Sequence, residues 1–131
     1  MGKIIIDSNV FIALARKKDS LHIKAHELME RVKGKHEVWV LNVVVQESAT
    51  VISMRDGMNA ARVFFEECPE LIDVEIKLDN ELEKLSWTIF LRQQKKGTSF
   101  IDCANLALLE KYKLDGILSF DDFYPRNVRV V

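Results

Sequence analysis

The sequence holds only two cysteines, Cys68 and Cys103, among 131 residues. Two thiols cannot build a disulfide framework or a paired-knuckle zinc site. Cys103 lies in an apolar helical pattern and is expected to be a buried small hydrophobe. Such sparse thiol usage suits a reducing cytoplasm better than an oxidising compartment. Proline (two) and glycine (five) are also scarce, so no stretch reads as a disordered linker. Neither sign of charge dominates: 19 Lys and Arg against 20 Asp and Glu give −1. A wholly cationic nucleic-acid clamp is therefore excluded, but a local basic patch is not. No apolar run approaches the roughly 18 residues that a membrane span needs. The opening stretch IIIDSNVFIALAR is interrupted by Asp7 and preceded only by Lys3 as a cation, so a cleaved leader is not expected.

What remains is an ordinary globular mixture, 48% hydrophobic and 30% charged, of a length that predicts one domain over residues 1–131. Short, continuously apolar runs at Lys3–Ile6, Glu37–Leu41, Ile72–Ile76, Gly116–Leu118 and Val128–Val131 read as strands buried on both faces. Helical spacing lies between them. Leu21, Ala25, Leu28 and Val32 mark one helix, Val44, Ser48, Val51 and Ile52 another, and Asn59–Glu67 a third. Leu78, Leu82, Leu85 and Ile89 predict a long helix that runs to about Lys96 with Gly97 as its C-terminal cap. Phe100–Tyr112 is apolar around most of its circumference, the pattern of a buried helix. Strands alternating with helices predict an α/β domain with a mostly parallel sheet.

Open parallel sheets place their sites at the carboxyl ends of strands. Asp7 follows the first strand directly, and Asp121 and Asp122 follow the fourth. Glu47 sits on a helix with Val43, Val44 and Val51 on neighbouring turns of the same face. Asp102 opens the most apolar helix. Each acid also has a plain structural reading. Asp7 can cap a helix beginning at Ser8, Asp102 can complete a capping box with Ser99, Asp121 can cap a short helix, and Glu47 can be solvated. If the acids converge, two carboxylates about 4 Å apart repel by roughly 4 kcal/mol at an effective dielectric near 20. Protons or a cation must then neutralise them. With no His or Cys cluster beside them, oxygen donors select Mg²⁺ or Mn²⁺, ions suited to phosphodiester cleavage.

Four segments in order resemble the PIN-domain ribonucleases. IIIDSNVFIAL is similar to the family's opening strand, with Asp7 as its acid. VVVQESATVI carries Glu47, TSFIDCANLALL carries Asp102, and ILSFDDFY carries Ser119 and Asp121. The resemblance runs from Lys3 to Val131. It implies a three-layer α/β/α fold with a five-stranded, mostly parallel sheet. It also implies a divalent-metal endoribonuclease in which Asp7, Glu47, Asp102 and Asp121 bind Mg²⁺ or Mn²⁺ and carry the catalysis. A VapC-like toxin with an antitoxin partner and a homodimeric state is implied too. Ser8, Asn9 and Ser119 would support the acids. Asp122 adjoins Asp121, and Asp121 is favoured as the ligand. Ser119 replaces the commoner Thr, a mild change. No zinc ribbon follows the fifth strand, unlike the related proteins of ribosome maturation.

Polyanionic RNA needs cations to offset these acids. Arg92, Lys95 and Lys96, which lead into the Asp102 segment, are the preferred group. Arg16 and Lys17 (with Lys18), and Arg126 with Arg129, are further candidates. All of them also read as solvated helix ends. His22 and His26 share a helix face but have no visible third ligand. Trp87, Phe90 and Leu91 lie partly off their helix's apolar stripe and read either as a protein contact or as a second core layer. The competing function is a catalytically silent module that binds RNA or a protein. A phosphatase or receiver domain ranks far behind, because Asp7-Ser8-Asn9 is not the Asp-x-Asp a phosphatase wants.

Overall fold

The computed structural model describes residues 2–130. Strand β1 (Gly2–Ile6) leads into α1 (Ser8–Ala15) and α2 (His22–Val32), and β2 (His36–Leu41) into α3 (Asn42–Asp56) and α4 (Met58–Glu67). A 3₁₀ turn (Cys68–Leu71) precedes β3 (Val74–Ile76). Helices α5 (Asn80–Leu91) and α6 (Phe100–Tyr112) then lead to β4 (Gly116–Leu118) and β5 (Arg129–Val130). All four strand pairings are parallel, in the order β3-β2-β1-β4-β5. The apolar runs predicted as strands are buried as expected: Ile4–Ile6, Val38–Leu41, Ile117 and Leu118 are all in the core.

The chain steps from β1 outward to β3, then returns to the other side of β1 for β4. Right-handed crossovers therefore put α1–α4 on one face of the sheet and α5–α6 on the other. The helix contacts agree, since α1 packs on α2 and α3, α3 on α4, and α5 on α6. The result is the three-layer α/β/α arrangement. The switch in strand order falls at β1, between β2 and β4, and open parallel sheets form their sites at such a point, beyond the strands' carboxyl ends. Gly116 admits the edge strand, because a Cβ there would meet the Val128 carbonyl oxygen at 2.7 Å.

Strands β1 and β2 and helix α4 start one residue earlier than expected, and β3, α5 and β5 differ as well. Strand β3 starts at Val74 rather than Ile72. The 3₁₀ turn holds the preceding residues, and Asp73 bonds Val38 through its own amide (2.9 Å) and its carboxylate (2.8 Å). Helix α5 stops at Leu91, not near Lys96. Residues 92–97 carry no apolar side chain to bury, so nothing rewards further turns. Gly97 (φ +82°) sits in the connecting loop, and Arg92 ends the helix. The fifth strand is Arg129–Val130; the predicted Val131 lies outside the described residues.

Candidate active site

Asp7 is the first residue beyond β1. Its backbone amide still follows the sheet, donating to the Leu118 carbonyl at 3.0 Å, while its side chain caps α1. Only 2% exposed, its carboxylate takes four donors. Oδ1 accepts from the Ser8 amide (2.8 Å) and Asn105 Nδ2 (3.3 Å). Oδ2 accepts from Ser119 Oγ (2.8 Å) and Asn9 Nδ2 (3.4 Å). Burial raises its pKa despite those bonds, and the charge of Glu47 adds to the rise.

Ser119 and Asn9 join this acid to the loop after β4. Ser119 is fully buried. Its hydroxyl donates to Asp7 and accepts from Asn9 Nδ2 (3.0 Å) and the Asp121 amide (3.0 Å). Asn9 Oδ1 accepts from the Phe120 amide at 3.1 Å. Asp121 is half-buried and turns its Oδ1 to the Phe123 amide at 2.9 Å.

Asp102 stands in the first turn of α6. Its amide donates to Ser99 Oγ at 3.4 Å, which is half of a capping box. The other half does not form: Asp102 Oδ1 instead accepts from the Tyr124 hydroxyl at 3.0 Å. Burial, then the charge of Asp7, and then those of Asp121 and Glu47 push its pKa up to about 7, against the lowering effect of the Tyr124 bond. Glu47 is half-buried on α3, and its charge acts on both Asp7 and Asp102. Each of the four acids is thus electrostatically coupled to at least one of the others.

Among the described residues none of these four acids lies within ion-pair distance of a Lys or Arg. Nor are three acidic, histidine or cysteine side chains gathered tightly enough to enclose an ion. The donor chemistry nevertheless fits a hard divalent cation. The ligating atoms on offer are carboxylate oxygens, they are buried or half-buried, and their mutual repulsion has no protein cation to offset it.

A family model for the PIN domain matches residues 4–128. This chain belongs to the PIN domain family. The PIN fold here is similar to that of Mycobacterium tuberculosis VapC20, described as a sarcin-ricin loop cleaving toxin, with 24% identity over 92% of each chain and a TM-score of 0.82. A toxin–antitoxin complex from Klebsiella pneumoniae matches with 16% identity, a TM-score of 0.68 and coverage of 98% of this chain and 97% of that one. VapBC2 from Rickettsia felis, bound to a DNA fragment from their promoter, matches with 9% identity, a TM-score of 0.69 and coverage of 97% and 96%. At these identities the likeness establishes the fold. A search of curated proteins found no match.

The remaining candidates spread around this PIN domain. Asp122 is exposed, and its charge is not among those acting on Asp102. Ser8 contributes its backbone amide to Asp7. Arg92, Lys95 and Lys96 are exposed on the end of α5 and the loop before α6. Arg16 is tied to Asp56 by bonds of 2.7 and 3.3 Å, while Lys17 is exposed beside it. Arg129 donates to the Asp121 carbonyl at 3.3 Å. His22 turns its Nδ1 to the Ala13 carbonyl at 2.7 Å. Trp87 and Leu91 are 47% and 75% exposed, so they are not a second core layer. Two residues of the site carried no expectation from the sequence: Asn105 and Tyr124, both buried among the acids.

Proposed function

We propose that this PIN domain is a divalent-metal-dependent endoribonuclease, the toxin of a VapBC-type toxin–antitoxin pair. Asp7, Glu47, Asp102 and Asp121 would hold Mg²⁺ or Mn²⁺. The observation that carries this reading is Asp102, a half-buried carboxyl pushed up to about 7 by burial and three acidic neighbours, with no ion-paired cation. An ion bound there supplies activation of water and neutralisation of charge developing on a phosphodiester.

The chain's own residues have distinct tasks. Asp7 is locked in one rotamer by donors on both oxygens, so it presents a fixed negative wall. Ser119 and Asn9 hold the loop that bears Asp121 against that wall. Glu47 brings negative charge from α3 that acts on both Asp7 and Asp102. Arg92, Lys95, Lys96 and Lys17 would meet RNA phosphates, giving affinity and salt dependence rather than sequence choice; Arg16, engaged by Asp56, contributes less.

The partners follow the same reading. Two structural neighbours are toxin–antitoxin complexes, and an antitoxin is proposed here by analogy. An apolar groove of about 530 Å³ beside α1, α2 and α4, lined in part by Phe11, Leu14, Val63 and Phe64, suits an apolar partner segment. Exposed Trp87 and Leu91 suit a homodimer contact. No described helix is long and apolar enough to cross a membrane, and the proposed location is the cytoplasm.

The test is cleavage of end-labelled single-stranded and structured RNAs in Mn²⁺, Mg²⁺ or EDTA, with Asp102→Asn alongside. Cutting by wild type alone, abolished by EDTA, is expected. Cutting in EDTA, or only with Zn²⁺, would overturn the assignment. Protein that neither cuts RNA nor binds Mn²⁺ is a silent binding module instead.

A further inference from the structure

We propose that Asn105 and Tyr124 form a positioning strut that sets the two innermost acids, Asp7 and Asp102, in register to share a cation. This rests on the reading of those acids as a metal site. Tyr124 is 1% exposed and Asn105 is fully buried. A buried hydroxyl and a buried amide need partners, and both find them in the acids. Asn105 Nδ2 has two hydrogens. One goes to Asp7 Oδ1 at 3.3 Å and the other to the Tyr124 hydroxyl oxygen at 3.1 Å. The Tyr124 hydroxyl has one, and it goes to Asp102 Oδ1 at 3.0 Å. Every hydrogen in the chain is therefore directed at an acid or at the next member.

That direction has a cost which shows what fixes it. Asn105 Oδ1 is buried without a partner. Turning the amide over would set this oxygen against the Asp7 carboxylate, acceptor against acceptor, and its only donor would be the Tyr124 hydrogen, taken away from Asp102. The acids therefore decide the orientation, and an orphan acceptor is tolerated in return.

The strut also decides which oxygen stays available. Tyr124 occupies Oδ1 of Asp102, and Oδ2 has no protein donor among the described residues. A phenylalanine at 124 would fill the same space, but Asp102 would be free to rotate. Because the strut crosses from the end of β1 through α6 to the loop after β4, it links three separate chain segments at the carboxyl edge of the sheet. Neither residue would touch the reacting atoms; both act through the acids.

The experiment is Mn²⁺ titration of the full chain by calorimetry, comparing wild type, Tyr124→Phe, Asp102→Asn and the double variant. Residues that orient metal ligands typically change affinity by about 10- to 100-fold when removed, and Tyr124→Phe is expected to weaken Mn²⁺ by that much. At saturating Mn²⁺ its KM for RNA should match wild type. In the Asp102→Asn background the second substitution should cost less Mn²⁺ affinity than in wild type, since the charged ligand it orients is gone. If Tyr124→Phe fails to fold, Asn105→Ala carries the same test, because it removes the donor that orients the hydroxyl and keeps the ring. Wild-type Mn²⁺ affinity in a folded strut variant would overturn the strut alone. No Mn²⁺ binding by wild type would overturn the metal site and the strut together.

Discussion

Asp102→Asn should make the metal-free protein more stable at neutral pH, the opposite of what loss of a buried polar contact usually does. The carboxyl of Asp102 is raised from 3.8 to about 7 in the folded chain. A group that binds its proton more tightly when folded favours the native state at low pH. That contribution is complete below about 4 and is lost as pH rises through about 7. The full shift is worth roughly 4 kcal/mol at about 1.36 kcal/mol per pKa unit. Asp102 is only half-buried, and solvent screening reduces the figure to about 1–2 kcal/mol. Asparagine keeps an Oδ1 to accept the Tyr124 hydroxyl and leaves the Ser99 cap on the backbone amide untouched. For a chain of this length the gain corresponds to a Tm higher by about 4–8 °C.

The assay is thermal unfolding in EDTA from pH 4.5 to 8.5, followed by circular dichroism. The Tm difference between variant and wild type should widen between pH 4 and 7 and then level off. Added Mn²⁺ should reverse the order, since a ligand bound more tightly by the folded wild type stabilises it more by mass action. A variant less stable than wild type at pH 8.5, or a difference that ignores pH, would refute the electrostatic account of the site.

Asp7 should behave in the opposite way. Asp7→Ala removes a helix cap worth about 1 kcal/mol and leaves the buried Ser119 and Asn105 donors unpaired at about 1–3 kcal/mol each, so urea unfolding in EDTA should show a loss of about 3 kcal/mol or more. Between the adjacent acids, Asp121→Asn should weaken Mn²⁺ binding measured by calorimetry, whereas Asp122→Asn, exposed and without a charge effect on Asp102, should leave it as in wild type; equal effects would mean that both side chains face the ion.

Much of this was legible in the sequence because its signals are local. A β-branched run followed at once by an acid places Asp7 at a strand end, and Ser-x-Asp after the β4 run does the same for Asp121. Helix α5 ends at Leu91, short of the expected Lys96, although residues 92–96 (RQQKK) are all good helix formers. What stops the helix is the lack of anything to bury, and propensity does not record that. Asn105 was hidden in a helix that reads as apolar all round, yet its spacing held a clue: it lies three residues after Asp102 and shares its face. Tyr124 offered less. One aromatic after Ser-x-Asp looks like core, and the partners of its hydroxyl depend on how the loop after β4 folds back over α6, a long-range matter that no local pattern carries.

The structural and chemical readings of Asp7 turn out to be the same reading. A carboxylate is costly to bury, and a site that needs one fixed in a dry crevice must lower that cost without supplying a cation, because a cation would compete with the metal. Neutral donors meet both demands. The first amide of α1 is one such donor, and the helix end also favours negative charge. Two amide side chains and a hydroxyl complete the set. Burial still prevails and leaves the pKa raised, so the donors hold the carboxylate in place without removing its need for positive charge. Replacing the half-buried Asn9 with lysine would meet that need from within the protein. By this reasoning such a chain would gain stability in EDTA and lose its affinity for Mn²⁺.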